Sequence, residues 1–86
     1  MPLIYIKYLF DKISTFEIKL TDTIFSVKEK IYKLEDIPIN KQSLCIGNTQ
    51  LENKRTFNDY NIKDGYTINI VILFLFNNEL NKDYFI

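Results

Sequence analysis

The sequence has no histidine and no tryptophan, and its one cysteine is Cys45. Without histidine, the His-based catalytic triads and most zinc sites are excluded. A single cysteine cannot form a disulfide bond within the chain. We therefore expect no enzymatic activity, no cofactor and no metal site.

An excess of charge of one sign is also lacking, as are long apolar segments. Eleven Lys and Arg residues balance eleven Asp and Glu residues, whereas nucleic-acid-binding domains are normally basic. The apolar run at residues 70–76 is far shorter than the roughly 20 residues of a membrane-spanning helix. Residues 1–7 do not have the pattern of a secretion signal. We expect a cytoplasmic and/or nuclear protein that binds neither nucleic acid nor membrane.

Glycine and proline occur only twice each among the 86 residues, so the chain is not a linker or a low-complexity segment. Its length is that of one small domain. The first part alternates with period two: Ile4 and Ile6 share one face, and Phe16, Ile18 and Leu20 share another. This pattern predicts a β-hairpin.

Two details of that hairpin concern its turn. Asp11 tolerates the left-handed conformation that such turns need. Counting back from Phe16, the alternation places Ser14 inside and Ile13 outside. Either Ser14 lies near the rim of the sheet, or the turn shifts the register by one residue.

The next segment has the period of a helix. Its apolar residues are spaced 3, 4 and 3 apart, at Ile24, Val27, Ile31 and Leu34. They predict a helix of about twelve residues that starts at Asp22 or Thr23 and ends before Pro38. Charged residues between them are expected to face water: Lys28, Glu29, Lys30 and Lys33.

The second half predicts short strands. Residues 43–46 and 50–51 flank a Gly47-Asn48 turn, Thr56 and Asp59 form a capping pair, and alternation resumes at Thr67. Together these elements predict an α+β domain in which one helix lies across a mixed sheet. The long helical crossover allows the last strand to pair parallel to the first.

The chain resembles the ubiquitin family over roughly its first 75 residues. The matching stretches include Asp22-Thr23-Ile24, Ile37-Pro38 and, most specifically, Gln50-Leu51-Glu52-x-x-Arg55-Thr56-x-x-Asp59-Tyr60-Asn61-Ile62. The resemblance implies a ubiquitin-like β-grasp fold: a mixed five-stranded sheet, one α-helix across one face and a short helical turn before the last strand. It implies a domain at residues 1–76 and a C-terminal tail at residues 77–86. It also implies a core position for Leu51 and Ile62, a loop hydrogen bond for the Tyr60 hydroxyl and a left-handed turn at Asn61.

The sequence departs from the family where conjugation occurs. Ubiquitin and its conjugated relatives are activated at a Gly-Gly carboxylate, and Phe76 and Asn77 stand at those positions. The basic residues near the tail of ubiquitin are replaced by Ser43, Leu73 and Leu75. We therefore expect a non-conjugated protein.

The resemblance also implies a protein-binding patch on the exposed sheet face. It maps to Leu9, Cys45, Asn69 and Val71, with Cys45 in place of a central isoleucine. Ubiquitin-acceptor positions are matched by four lysines, Lys7, Lys12, Lys28 and Lys30. Other acceptor positions hold Leu34, Thr49 and Asp64.

Aromatic residues stand at positions that are mostly polar or small in ubiquitin: Tyr8, Phe10, Phe25, Tyr32, Tyr66, Phe74 and Phe76. We expect them to be exposed, and expect Ile37, Phe74 and Phe76 to form a second apolar edge. The leading interpretation is a module that binds receptors, ligases or proteasome-type adaptors of the ubiquitin pathway, as a monomer or with weak self-association. The alternative is a structural subunit of a larger complex, in the manner of elongin B, that uses the hydrophobic last strand and tail.

Overall fold

The computed structural model describes residues 1–73. Strand β1 (Leu3–Lys7) pairs antiparallel with β2 (Ile13–Glu17), which confirms the predicted hairpin. Ile6 lies opposite Ser14, so the alternation continues to Ser14 without a register shift. Ser14 is half-buried on the helix side, whereas Ile13 on the other side is 55% exposed.

The turn between β1 and β2 contains two consecutive residues in left-handed conformation. Phe10 has φ 60° and Asp11 has φ 64°, and the Tyr8 amide donates to the Lys12 carbonyl at 2.8 Å to close the loop. The expectation for Asp11 is confirmed. Positive φ at two successive positions matches the right-handed twist of a hairpin, but it is normally occupied by Asn, Asp or Gly. A bulky aromatic residue at this position is strained.

Helix α1 (Ile24–Glu35) has the predicted length of twelve residues. Of the two candidate caps, Thr23 is the one used, because its side chain accepts from the Ser26 amide at 3.2 Å. Asp36 follows in a left-handed conformation, φ 60°, and its amide donates to the Tyr32 carbonyl. The helix therefore ends in a left-handed cap two residues before Pro38, as the proline predicts.

Two helix residues lie on the opposite side to the one expected. Lys28 was expected to face water and is only 5% exposed, whereas Leu34, expected on the apolar side, is 59% exposed. Lys28 lies four residues after Ile24 and three before Ile31, so it belongs to the same helical face as these two core residues. Leu34 lies in the last turn of α1, where this buried face has ended.

Strands β3 (Gln42–Ile46) and β4 (Thr49–Gln50) form a short hairpin around Gly47. The following loop leads to a 3₁₀ turn at Asn58–Tyr60. Thr56 and Asp59 join the loop to this turn: the Asp59 amide donates to Thr56 Oγ1 at 3.2 Å, and the Thr56 amide donates to Asp59 Oδ2 at 2.9 Å. The predicted capping pair is therefore reciprocal.

The roles implied for the 50–62 motif are confirmed. Leu51 and Ile62 are each 2% exposed. The Glu52 amide donates to the Tyr60 hydroxyl at 2.8 Å, which fixes the loop to the 3₁₀ turn. Asn61 has φ 56°, a conformation that Asn adopts more readily than most residues.

Strand β5 (Tyr66–Ile72) lies parallel to β1 and antiparallel to β3, so the five-stranded sheet has the order β2-β1-β5-β3-β4. Mixed pairing with the helix across one side is the α+β arrangement that the sequence predicts. Between sheet and helix lies one apolar core, whose completely buried side chains are Ile4, Ile6, Ile18, Ile24, Val27, Ile31, Leu44, Phe57 and Ile68. None of the helices within residues 1–73 is both long and apolar enough to cross a membrane.

Candidate protein-binding face

The outer face of the sheet is the face opposite the one on which α1 packs. On β5, Ile68 and Ile70 point into the core and are buried, while Asn69 and Val71 point outward and are exposed. The period of two makes this alternation necessary, because successive side chains lie on opposite sides of a strand. The core therefore does not determine which residue types occupy the outer positions.

Strand register places two of the four predicted patch residues side by side. Cys45 on β3 lies directly opposite Asn69 on β5, and Asn69 lies in turn opposite Lys7 on β1. Val71 is two residues beyond Asn69 on the same face and is 51% exposed. Since neighbouring strands are about 4.8 Å apart, Cys45, Asn69 and Lys7 span about 10 Å across the sheet.

Leu9, the fourth predicted residue, lies in the β1–β2 turn, two residues beyond Lys7, and is 72% exposed. The turn is tied to the helix because the Lys12 ammonium contacts the Glu35 carboxylate at the end of α1. The same ammonium lies 5.3 Å from the centroid of the Tyr8 ring. These contacts hold the turn next to the end of β1, just beyond Lys7.

Cys45 is half-buried at the centre of this surface. Its Sγ lies 3.8 Å from the hydroxyl of Ser43, which is on the same side of β3 and only 7% exposed. A cysteine and a serine here make the middle of the face smaller than branched side chains would. The face therefore has two apolar residues, Leu9 and Val71, around a shallow centre.

The outer face is weakly charged near this centre. The row of opposing residues across β2, β1, β5 and β3 is Ile13, Lys7, Asn69 and Cys45, in which Lys7 is the one charged member. We call Leu9, Cys45, Asn69 and Val71 the patch. Lys7 and Ile13 extend the row beyond the patch, and only the strand register, which the sequence pattern does not specify, reveals this.

Comparison with known proteins places this fold in a family. The sequence model that describes the ubiquitin family matches residues 4–74 of this chain. The chain belongs to the ubiquitin family. As a ubiquitin-like protein it has the β-grasp arrangement that the resemblance implied, with the sheet and helix described above.

Several curated proteins are similar to this ubiquitin-like chain. The NEDD8-like protein RUB3 of Arabidopsis thaliana is 36% identical over 69 residues, which are 80% of this chain and 88% of that protein. The ubiquitin-like protein NEDD8 of Dictyostelium discoideum is 31% identical over 70 residues, 81% of this chain and 91% of that protein. AN1-type zinc finger protein 4 of Mus musculus is 42% identical over 59 residues, but the match spans 66% of this chain and only 8% of that longer protein.

The four lysines at acceptor positions have different surroundings. Lys7 is exposed on the outer face, and Lys30 is exposed with its Nζ donating to the Glu17 carbonyl at 3.0 Å. Lys12 is ion-paired to Glu35, and Lys28 is buried. Burial lowers the pKa of Lys28, and the nearby Cys45 sulfur partly opposes that change.

The exposed aromatic residues are mostly where we expected them. Phe10 is 98% exposed, and Phe25, Tyr32 and Tyr66 are between 39% and 46% exposed. Tyr8 is the exception: it is 8% exposed, because it packs with the core under the hairpin turn, and this burial raises its pKa.

The predicted second apolar edge is only partly described. Ile37 is half-buried and packs against the core, while Phe74 and Phe76 lie outside the described residues. The proposed tail at residues 77–86 also lies outside them. Within residues 1–73, no group of three or more Cys, Asp or Glu side chains is placed to hold a metal ion.

Proposed function

We propose that this ubiquitin-like protein is a non-conjugated module that binds other proteins through the patch, in a ubiquitin- or proteasome-related pathway of the cytoplasm or nucleus. The observation that carries this proposal is the exposure of two apolar side chains on the outer face. Leu9 is 72% exposed and Val71 is 51% exposed. Neither belongs to the core, so folding does not explain their apolar character.

The energetics favour contact with a partner. Burying an apolar side chain of this size contributes about 1.5–3 kcal/mol. Two such anchors next to a neutral centre have the form of a small binding hot spot, with Lys7 at its rim. Because the residues lie on paired strands and on a turn tied to α1, the surface is already arranged before binding.

The non-conjugated part of the proposal rests on the residues at the Gly-Gly positions. Phe76 and Asn77 stand there, and the two glycines of the sequence are Gly47 and Gly65, both within the domain. Activation of a ubiquitin-like protein requires a narrow, flexible end without side chains. A phenylalanine at that position is incompatible with this requirement.

The test uses a receptor domain that binds the apolar patch of ubiquitin. Because Cys45 is smaller than isoleucine, wild-type protein should bind this receptor weakly or not at all. Cys45→Ile restores about two methylene equivalents at about 0.8 kcal/mol each, and should strengthen binding roughly tenfold. Titration followed by the NMR shifts of Asn69 and Val71 gives both the affinity and the location.

The matched control is Leu34→Ala, which truncates an exposed leucine on the helix rather than on the sheet. It should leave receptor affinity unchanged in the Cys45→Ile background, whereas Leu9→Ala should weaken it. If Cys45→Ile gains no affinity, or if the shifts map to the helix, the patch is not the binding site.

A further inference from the structure

A cleft of about 490 Å³ lies at the other end of β4 from the Gly47 turn, and it uses none of the patch residues. Its lining comes from one helix residue, the end of β4 and the loop that follows, namely Lys28, Gln50, Leu51, Glu52, Asn53 and Lys54. The cleft is more open than enclosed, so it suits a small group that stays partly in contact with solvent.

The cleft is shaped by contacts between the loop and the first turn of α1. The Ile24 amide donates to the Arg55 carbonyl at 2.9 Å, and the Phe25 amide donates to the Asn53 carbonyl at 3.1 Å. Lys28 lies one helical turn after Ile24, which places its side chain beneath this loop. On the other side, the Leu51 amide donates to the Leu44 carbonyl at 2.8 Å and holds the loop to the sheet.

Within residues 1–73 the Lys28 ammonium forms no hydrogen bond and no ion pair; the ion pairs in this part of the chain are Lys12–Glu35 and Arg55–Glu52. Yet the residue is 95% buried, since only 5% of its surface is exposed. In the described part of the chain, the side-chain polar atoms that are inaccessible to solvent and also lack a hydrogen-bond partner are Tyr8 Oη and Gln42 Oε1. The Lys28 Nζ is not among them, so it lacks a hydrogen-bond partner but still reaches solvent. It does so through the cleft that Lys28 lines.

The charges around the cleft do not neutralise this ammonium. Glu52, the one carboxylate in the lining, accepts from the Arg55 Nε at 3.0 Å. Lys28 and Lys54 remain as two positive groups, and the amides of Gln50 and Asn53 add neutral donors. Burial lowers the pKa of Lys28, and the influence that opposes this change comes from the Cys45 sulfur rather than from a carboxylate. An ammonium that meets solvent only through this cleft is poorly hydrated, and an anion in the cleft would stabilise it.

From this geometry we infer that the cleft is a binding site for a small oxyanion, a phosphate or carboxylate group, with the Lys28 ammonium as its counter-charge. Lys54 and Asn53 also line the cleft, and their side chains supply a second positive charge and a neutral N–H donor. Such an oxyanion can be a free inorganic ion, a phosphate ester or a carboxylic acid. The test therefore distinguishes these three kinds of ligand.

The experiment titrates the intact protein with inorganic phosphate, O-phosphoserine and acetate at constant ionic strength, with chloride as the reference anion. NMR shifts are followed at the amides of residues 51–54 and at the Lys28 side-chain ammonium. We expect at least one of the three probes to give saturable shifts at these positions. The probe that binds best identifies the source: the free ion, the phosphate ester or the carboxylate.

Two variants act on the cleft in different ways. Lys28→Met keeps the length of the side chain and removes the charge, and Asn53→Asp leaves Lys28 in place but puts a carboxylate in the cleft. Both should weaken binding at least tenfold. Lys30→Met, which removes an exposed lysine from the same helix, should bind like wild type.

Shifts that grow linearly and equally with every anion, chloride included, would overturn the inference. Wild-type affinity in both Lys28→Met and Asn53→Asp would overturn it as well. Asn53→Asp gives an independent result, because it leaves Lys28 in place. A negative result here leaves the patch untouched, because the two sites share no residue.

Discussion

Phe10 offers a sharp test of the turn geometry, because its conformation is strained and its side chain makes almost no contact. It has φ 60° and ψ 35° and is 98% exposed. A non-glycine residue in this region costs about 1–2 kcal/mol relative to right-handed backbone. Glycine removes that cost but loses about 0.5–1 kcal/mol through the greater freedom of the unfolded chain. With no burial to lose, Phe10→Gly should stabilise the protein by about 0–1.5 kcal/mol, the difference between these two ranges.

The assay is urea unfolding, with the slope of the transition checked for constancy so that the midpoint reports stability. The neighbouring residue supplies the control: Leu9 is also exposed but is not among the positive-φ residues. Leu9→Gly therefore has only the entropic cost and should destabilise by about 0.5–1 kcal/mol. If Phe10→Gly destabilises the protein as much as Leu9→Gly does, the strain argument is refuted.

Three further predictions concern charge and conjugation. Lys28→Met should raise the free energy of unfolding by about 1 kcal/mol at neutral pH, since it removes a poorly hydrated, unpartnered ammonium, while Lys33→Met, at an exposed position of the same helix, should change it by less than about 0.5 kcal/mol. Because burial lowers the pKa of Lys28, the unfolded chain holds this proton more tightly than the folded one. The free energy of unfolding of the wild type should therefore rise with pH between that lowered pKa and about 10.4. Urea unfolding at a series of pH values should show the difference in stability between wild type and Lys28→Met becoming smaller over this range. The Thr56 amide lowers the pKa of Asp59, so the stability from this contact is present above the ordinary pKa of about 3.9 and is lost as pH falls through the lowered value; acid unfolding of Asp59→Asn should lack this component, and an identical acid profile would argue against it. Incubation with a ubiquitin-activating enzyme and ATP, with ubiquitin as the positive control, should give no thioester of this chain on a non-reducing gel, and a band that reducing agent removes would contradict the non-conjugated assignment.

Much of the fold follows from local patterns. Period-two alternation predicted the β1–β2 hairpin and the outward direction of Asn69 and Val71, and both are observed. The capping pair of Thr56 and Asp59 is also local, since it spans three residues. Such features depend on neighbours in sequence, which is why the sequence suffices for them.

The features that the sequence did not predict depend on contacts between distant segments. Lys28 is buried because the loop at residues 52–55 is held over the first turns of α1. Its spacing from Ile24 and Ile31 was the available signal, but the charge of lysine argued for solvent. The left-handed conformation of Phe10 had no signal at all, since an aromatic residue is disfavoured there. The row that joins Lys7 and Ile13 to the patch required the register of four strands.

The most direct test of the patch as a binding site is the affinity for the natural partner, captured with the intact domain from the cells that make this protein. Leu9→Ala and Val71→Ala should each weaken the purified complex by more than about 1 kcal/mol, as truncated hot-spot residues do. Leu34→Ala, at a helix position whose exposure lies between those of Leu9 and Val71, should bind like wild type. Unfolding curves close to wild type for all three variants would show that the fold is intact. Normal affinity in both Leu9→Ala and Val71→Ala would contradict the account.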